Sequence, residues 1–200
     1  MLSSSICTNP ERRRLLRAAT LLASLGVGMA AGSCTAAGAG LATDAAGTDW
    51  RALVPQAQAL GGGDLTWFGL RIYRATLWSA SRPFDSTQPF ALQLHYYRSI
   101  SRERLVDTSM DEIRRLNRAP LPAATRSRWE ALLSSAFVDV SEGDELIGVY
   151  LPGRGMRLYN RQRLLAELDD QVLARAFFDI WLNPESRDQK LRQRLMGTQP

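Results

Sequence analysis

The sequence predicts an α+β fold in which helices lie on one face of a sheet. Strand-like segments and amphipathic helical segments both occur, and they follow the order strands, two helices, strands, helices. The chain has 200 residues, of which 45% are hydrophobic and 22% charged. This is the composition of one globular domain, with or without a leader.

The first part of the domain predicts two adjacent strands. Residues 49–60 are expected to form a short helical or irregular approach, and the three glycines at 61–63 a turn. Aromatic and branched side chains are frequent in residues 64–69 and again in residues 70–79. Each of these two segments is therefore predicted to be a strand.

A third strand and two helices are predicted to follow. Residues 90–97 alternate, with Leu92, Leu94 and Tyr96 on one face, which predicts a half-buried strand. From Ser101, the expected N-cap, apolar or small side chains recur at three- and four-residue steps. The second helix has an apolar stripe made of Trp129, Leu132, Leu133, Ala136 and Phe137.

The last third of the chain predicts a hairpin and then further helices. A turn at 141–144 leads into strands at 145–151 and 155–159, joined across a Pro-Gly-Arg-Gly tip. Helical spacing returns afterwards, and Gly197 closes the last helix. The side chains with this spacing are Leu173, Ala176, Phe177, Ile180, Trp181, Leu191 and Leu195.

Charge and cysteine content exclude several function classes. The formal net charge is +5, but residues 1–42 hold four arginines against Glu11 alone, so the remaining chain carries only a small positive surplus. We therefore expect no nucleic-acid partner. Cys7 and Cys34 both lie in that first segment, and His95 is the only histidine. The body is thus predicted to have no disulfide, thiolate metal site, cysteine nucleophile, metal or cofactor.

Residues 1–42 are predicted to be an export signal. Arg12 and Arg13 begin a twin-arginine-like motif, an uncharged apolar run follows, and small residues come last. The strongly apolar part is shorter than the roughly 20 residues of a membrane span. Cleaved export to the periplasm is the favoured interpretation, and a retained membrane anchor is the alternative.

Cys34 has two interpretations. The residues before it, Ala-Gly-Ser, resemble a loose lipobox, in which the cysteine becomes lipidated and tethers the protein to the membrane. In the alternative, cleavage near Ala37 or Ala42 removes Cys34. Any membrane contact is expected only through this lipid or an uncleaved signal. Residues 43–60 are predicted to be a flexible tether and approach segment, and residues 61–200 the folded domain.

Three stretches of the body carry a resemblance to a known family. They are GGGDLTWFGLRIYRATLW at 61–78, GDELIGVYLPGRG at 143–155 and FFDIWLNPESRDQKLRQRLMG at 177–197. In order and spacing they resemble the bacterial branch of the chalcone isomerase-like family. The resemblance implies an open-faced antiparallel sheet with helices packed on one face. It also implies a cleft between sheet and helices for a flat or lipophilic ligand.

The resemblance also implies where catalytic residues would lie. Enzymatic relatives use an arginine, a threonine, a tyrosine and an asparagine, and these positions fall near Asp64, Phe68, Ser101 and Thr108. A carboxylate in place of the arginine removes a cation, and a serine in place of the tyrosine removes a phenol. The sequence therefore predicts no cyclase chemistry and no catalytic residue, and His95 is expected at the surface.

The favoured hypothesis is an exported, non-enzymatic domain that binds a lipophilic small molecule such as a fatty acid. Core packing is the default expectation for the aromatic cluster Trp67, Phe68, Tyr73 and Trp78, and a surface position for Arg71. The candidate ligand-binding residues are Trp67, Phe68, Arg71, Tyr73, Ser101 and Thr108. Two alternatives stay open: an isomerase- or lyase-type enzyme with a different active site, and an envelope scaffold that binds a protein partner.

Overall fold

The computed structural model describes residues 49–198, which form one antiparallel sheet and the helices packed on it. Within these residues six strands lie side by side in chain order. They are β1 (Gln58–Trp67), β2 (Leu70–Ser79), β3 (Phe90–Tyr96), β4 (Glu145–Leu151), β5 (Gly155–Asn160) and β6 (Leu164–Leu168). The helices are α1 (Arg102–Leu116), α2 (Ala123–Ala136), α3 (Gln171–Leu182) and α4 (Gln189–Leu195). This arrangement confirms the predicted α+β fold class.

The main core lies between the helices and one face of the sheet. On β3, the predicted alternation places Leu92, Leu94 and Tyr96 in this core, and none of the three is more than 8% exposed. Ser101 caps α1 as predicted, because its side-chain oxygen accepts a hydrogen bond from the backbone N–H of Arg104.

A second apolar cluster covers the opposite face of the sheet. Trp50 lies in a 3-10 turn before β1 and is only 5% exposed. Its ring meets that of Trp78 edge to face, with 5.6 Å between the ring centroids. The guanidinium of Arg51 lies over both rings. The N-terminal part of the described chain is therefore held against the sheet.

The turn predicted at residues 61–63 is wrong, because all three glycines lie within β1. Helix α4 crosses this strand closely. A Cβ on Gly61 would lie 1.9 Å from the carbonyl oxygen of Arg194, and a Cβ on Gly63 would lie 2.9 Å from the Arg194 Cδ. Gly61 needs glycine because the backbone of α4 approaches the strand there, whereas Gly63 borders side chains of α4; neither residue lies at a turn.

One strand boundary and one whole strand also differ from the prediction. The turn between β1 and β2 consists of Phe68 and Gly69, both with positive φ, so β1 ends before the predicted residue 69. Strand β6, with the sequence LLAEL, was not predicted. Its residues favour helix and do not alternate, and pairing with β5 is what makes the segment a strand.

The predicted export signal, Cys34 and residues 43–48 of the tether lie outside the described residues. Within residues 49–198, no helix is both long and apolar enough to cross a bilayer.

Candidate functional site

A cleft of about 350 Å³ opens between the sheet and the C-terminal helices. Its walls come from the loop that joins β2 to β3, from β3 and β4, and from α3, α4 and their connection. Its lining side chains are Phe84, Ser86, Phe90, Tyr150, Arg175, Phe178, Asp179, Leu182, Asn183, Pro184, Arg192 and Met196.

Aromatic rings form the inner wall of this cleft. The ring of Phe90 stacks on Tyr150 and meets Phe178 edge to face, with 5.0 Å between the centroids in both pairs. Phe84 closes the wall from the loop, 5.2 Å from Phe90. Gly148 makes room for this cluster, since a Cβ there would lie 3.0 Å from the Phe178 Cζ. The result is an apolar surface of fixed shape.

Two arginines stand among the lining residues. Arg175 is exposed, and its guanidinium lies 5.2 Å from the ring centroid of Tyr150 and 3.4 Å from the hydroxyl of Ser86. Arg192 donates through Nε to the carbonyl oxygen of Leu182 at 2.8 Å, which fixes its guanidinium. Such cations suit a ligand that carries a carboxylate.

Among residues 49–198, Asp179 is the one carboxylate that lines the cleft. Burial raises the pKa of the Asp179 carboxyl above its usual range. The nearby Arg175 guanidinium and a hydrogen bond with Asn183 partly oppose this rise in pKa. The carboxylate therefore sits in surroundings that disfavour its charge.

Helix α3 positions several of these groups together. Arg175, Phe178, Asp179 and Leu182 follow at steps of three, one and three residues, and this spacing places them on one face of the helix. The N-terminus of α3 is fixed by Asp170, whose Oδ1 accepts hydrogen bonds from the backbone N–H groups of two helix residues. A ligand in the cleft would thus contact a well-anchored helix face.

The family resemblance predicts a cleft between sheet and helices, but none of the six predicted ligand-binding residues lines the cleft beside α3. The α3 face that lines the cleft is visible in the sequence, because its residues recur at helical spacing. The contributions of Phe84 and Arg192 had no local signal, because the loop and α4 meet α3 only after folding.

Tyr73, a predicted ligand-binding residue, lies elsewhere in the sheet–helix interface. The Trp181 indole Nε1 donates to the Tyr73 hydroxyl oxygen at 2.9 Å, and the Tyr96 ring lies 5.7 Å from the Tyr73 ring. Burial raises the pKa of both tyrosine phenols above their ordinary values. Both side chains are therefore neutral packing groups at physiological pH.

Comparison with known proteins identifies the family. Residues 66–197 match the sequence profile of a family described as chalcone isomerase-like. The chain belongs to the chalcone isomerase-like family. It is also 28% identical to an uncharacterized protein of Haemophilus influenzae over 141 residues, which are 70% of this chain and 68% of that protein.

A solved structure supports the fold assignment of this chalcone isomerase-like chain. The crystal structure of an Arabidopsis thaliana fatty-acid binding protein matches with a TM-score of 0.55. The match covers 72% of this chain and 88% of that chain, at 9% sequence identity. At that identity the likeness concerns the fold, which is the predicted chalcone isomerase-like open antiparallel sheet with helices on one face.

The positions at which the resemblance predicts catalytic residues lie on β1, in the turn after it, and at or on α1. Asp64 pairs with Arg71 at 3.2 Å and with Arg74 at 3.4 Å. Ser101 is the N-cap of α1, and Thr108 is exposed on that helix. His95 is half-buried on the sheet and lies 3.6 Å from the Glu145 carboxylate.

Core packing, the default expectation for the aromatic cluster, is wrong for two of its members. Trp67 is 54% exposed and Phe68 90% exposed, at the turn between β1 and β2. Pairing with β3 begins only at Tyr73, so this turn extends beyond the neighbouring strand. Arg71 is a surface charge, and its guanidinium lies 3.8 Å from the Tyr97 ring centroid. The six predicted ligand-binding residues therefore do not line one cavity.

Proposed function

We propose that this domain binds one lipophilic carboxylate, such as a fatty acid, in the cleft beside α3. The supporting observation is the combination of an aromatic wall with two arginines in one opening between sheet and helices. Apolar walls supply most of the affinity in small-molecule sites, while a few polar groups set the orientation of the ligand. The fatty-acid binding protein with the same fold is consistent with this proposal.

The size of the cleft limits the ligand. Its volume of about 350 Å³ is near the lower end of the roughly 300–1,000 Å³ typical of ligand pockets. A single acyl chain suits this volume better than a lipid with two chains. The apolar chain would lie against Phe90 and Phe178, with its carboxylate toward Arg175 and Arg192.

The proposed activity is binding and not catalysis. Asp64, near the position of the family's catalytic arginine, is engaged with two arginines on the sheet. Ser101, near the position of the catalytic tyrosine, caps a helix. Tyr73 accepts a hydrogen bond from Trp181, Tyr96 is 2% exposed, and neither phenol lines the cleft. These placements favour a binding protein over a cyclase.

Calorimetric titration with dodecanoate tests the proposal. Replacement of both arginines, Arg175→Gln with Arg192→Gln, is expected to weaken binding about tenfold or more, because charge-assisted hydrogen bonds to the carboxylate are lost. Dodecanol, which has no carboxylate, should bind the wild type and this variant equally. Arg126→Gln serves as the control, since Arg126 forms an exposed ion pair on α2. Equal dodecanoate affinity in all three proteins, or no binding at all, would refute the proposal.

We also propose that the protein works outside the cytoplasm. The support is the order of charged, apolar and small residues in 1–42, together with Arg12 and Arg13. Cys34 is then either lipidated or removed on cleavage. Replacement of both arginines by lysine should leave the protein in the cytoplasmic fraction of its host. Mass spectrometry of the exported protein distinguishes a lipid on Cys34 from a new N-terminus after it.

A further inference from the structure

The turn between β1 and β2 carries an exposed apolar tip. Of the five exposed large hydrophobic side chains in residues 49–198, three lie here: Trp67, Phe68 and Leu70, with exposed fractions of 54%, 90% and 49%. Single exposed apolar side chains are common on protein surfaces, but three in four consecutive residues form a patch. Such a patch indicates an interaction surface.

The backbone of the tip holds this patch outward. Phe68 has a φ of 48° and Gly69 a φ of 77°. Asparagine or glycine is the usual residue at the first of these positions, and a phenylalanine there is strained. Its ring meets that of Trp67 edge to face, at 5.2 Å between centroids. Both the strain and the exposure are unfavourable for the isolated domain, which favours a function for the ring.

Basic side chains surround the base of the tip. Arg71, Arg74 and Arg98 are all exposed, and Arg98 donates to the carbonyl oxygen of Arg71. Asp64 is the acidic group that pairs with the first two of these arginines. The tip is therefore apolar at its end and net positive behind it, a charge distribution complementary to an anionic lipid surface.

We propose that the tip formed by Trp67, Phe68 and Leu70 inserts into the interface of an anionic membrane. The tip is a two-residue turn between exposed side chains, so lipid can close around it. Trp67 stands where tryptophan is favoured, between the apolar end and the charged base. This contact belongs to the folded domain and is distinct from any N-terminal lipid or signal. It is also separate from the cleft, because Leu70 and Ser79 are opposite ends of β2 and Ser79 pairs with Phe90 of the cleft.

Co-sedimentation of the full chain with phospholipid vesicles tests the proposal. The vesicles contain phosphatidylcholine with about one-third phosphatidylglycerol. The double variant Phe68→Ser with Leu70→Ser is expected to partition about tenfold less into them. Val172→Ser, which removes a 66% exposed apolar side chain on α3, should bind as the wild type does. All these proteins share the same N-terminus, so the difference between them reports the tip alone.

Two further measurements define what would overturn the proposal. Brominated lipid should quench the fluorescence of the wild type more than that of Trp67→Phe, because Trp67 enters the bilayer. Arg71→Gln with Arg98→Gln should weaken binding to anionic vesicles and leave binding to pure phosphatidylcholine unchanged. Equal partitioning of the tip variant and the wild type would show the proposal wrong. The wild type is also compared with the tip variant in the absence of vesicles. If the wild type then forms a dimer and the tip variant does not, the tip contacts a second copy of the chain instead of a membrane.

Discussion

Asp179 links the cleft to the pH dependence of stability. Burial holds the pKa of its carboxyl above the usual value, so the folded protein keeps this proton to a higher pH than the unfolded chain does. Stability is therefore lost as pH rises from the ordinary aspartate range through the raised pKa. Below that pH range, Asp179 is protonated in both the folded and the unfolded protein, and it no longer reduces stability.

Asp179→Asn is expected to stabilise the protein at neutral pH and to have little effect near pH 3 or so, where the wild-type carboxyl is also neutral. Denaturant unfolding of both proteins across this pH range measures the difference. Asp107→Asn, on the exposed side of α1, is the surface control. A neutral-pH stability of Asp179→Asn equal to or below that of the wild type would contradict the account of this carboxyl.

Gly148 and Phe178 are coupled by close contact. Gly148→Ala alone is expected to cost about 1–3 kcal/mol, because the new Cβ lies 3.0 Å from the Phe178 ring. It should also push this ring into the cleft and weaken dodecanoate binding. In a Phe178→Leu background the same substitution should cost less. A double-mutant cycle by denaturant unfolding measures the coupling, and additive effects would show that the two residues act independently.

At the scale of elements, Asp170 joins two helices. Its Oδ1 caps α3, and its Oδ2 accepts hydrogen bonds from Arg128 at 2.7 Å and from the Trp129 indole at 3.0 Å, both on α2. Trp129 is 2% exposed, so the loss of this acceptor leaves a buried indole N–H unpaired. The cap of α4 is simpler, since Asp188 accepts from the Leu191 N–H.

Asp170→Ala is therefore expected to lower the free energy of unfolding by about 2–4 kcal/mol, the sum of a cap and a buried hydrogen bond. Asp188→Ala, the matched control, should cost about 0.5–2 kcal/mol for its cap alone. Thermal and denaturant unfolding of both variants compare these costs. Equal losses would mean that the contacts with α2 contribute nothing measurable.

Local signals explain which elements the sequence predicts correctly. Ser101 caps the helix that follows it, and the alternation of β3 follows from burial of one sheet face, so both are encoded within a few residues. Gly61 and Gly63 contact α4, Gly62 contacts β2, and β6 pairs with β5. The cleft depends on a loop and two helices that meet only in the folded state. Such tertiary causes leave little trace in local pattern.

At the scale of the molecule, the sheet is covered on both faces. Helices cover one face, and the cluster around Trp50 and Trp78 covers part of the other. The folded unit therefore includes residues before the boundary at residue 61 that composition predicts. The 3-10 turn around Trp50 therefore adds packing energy to the folded domain and is more than a linker.

Trp50→Ala is expected to lower the free energy of unfolding by about 3–5 kcal/mol, as is typical when a large buried aromatic is truncated. Trp67→Ala is the matched control, because its ring is 54% exposed. Its effect should stay within about 0.5 kcal/mol. Urea unfolding followed by circular dichroism measures both. A loss of less than 1 kcal/mol or so for Trp50→Ala would show that the segment is not part of the cooperative unit.

The whole molecule is proposed to hold a lipophilic carboxylate in the cleft beside α3. The most direct test is native mass spectrometry of the protein purified from its own host, followed by extraction and identification of any bound small molecule. We expect one fatty acid or similar carboxylate per chain, and its loss in the Arg175→Gln, Arg192→Gln variant. A folded protein that emerges empty and takes up no added dodecanoate would contradict it.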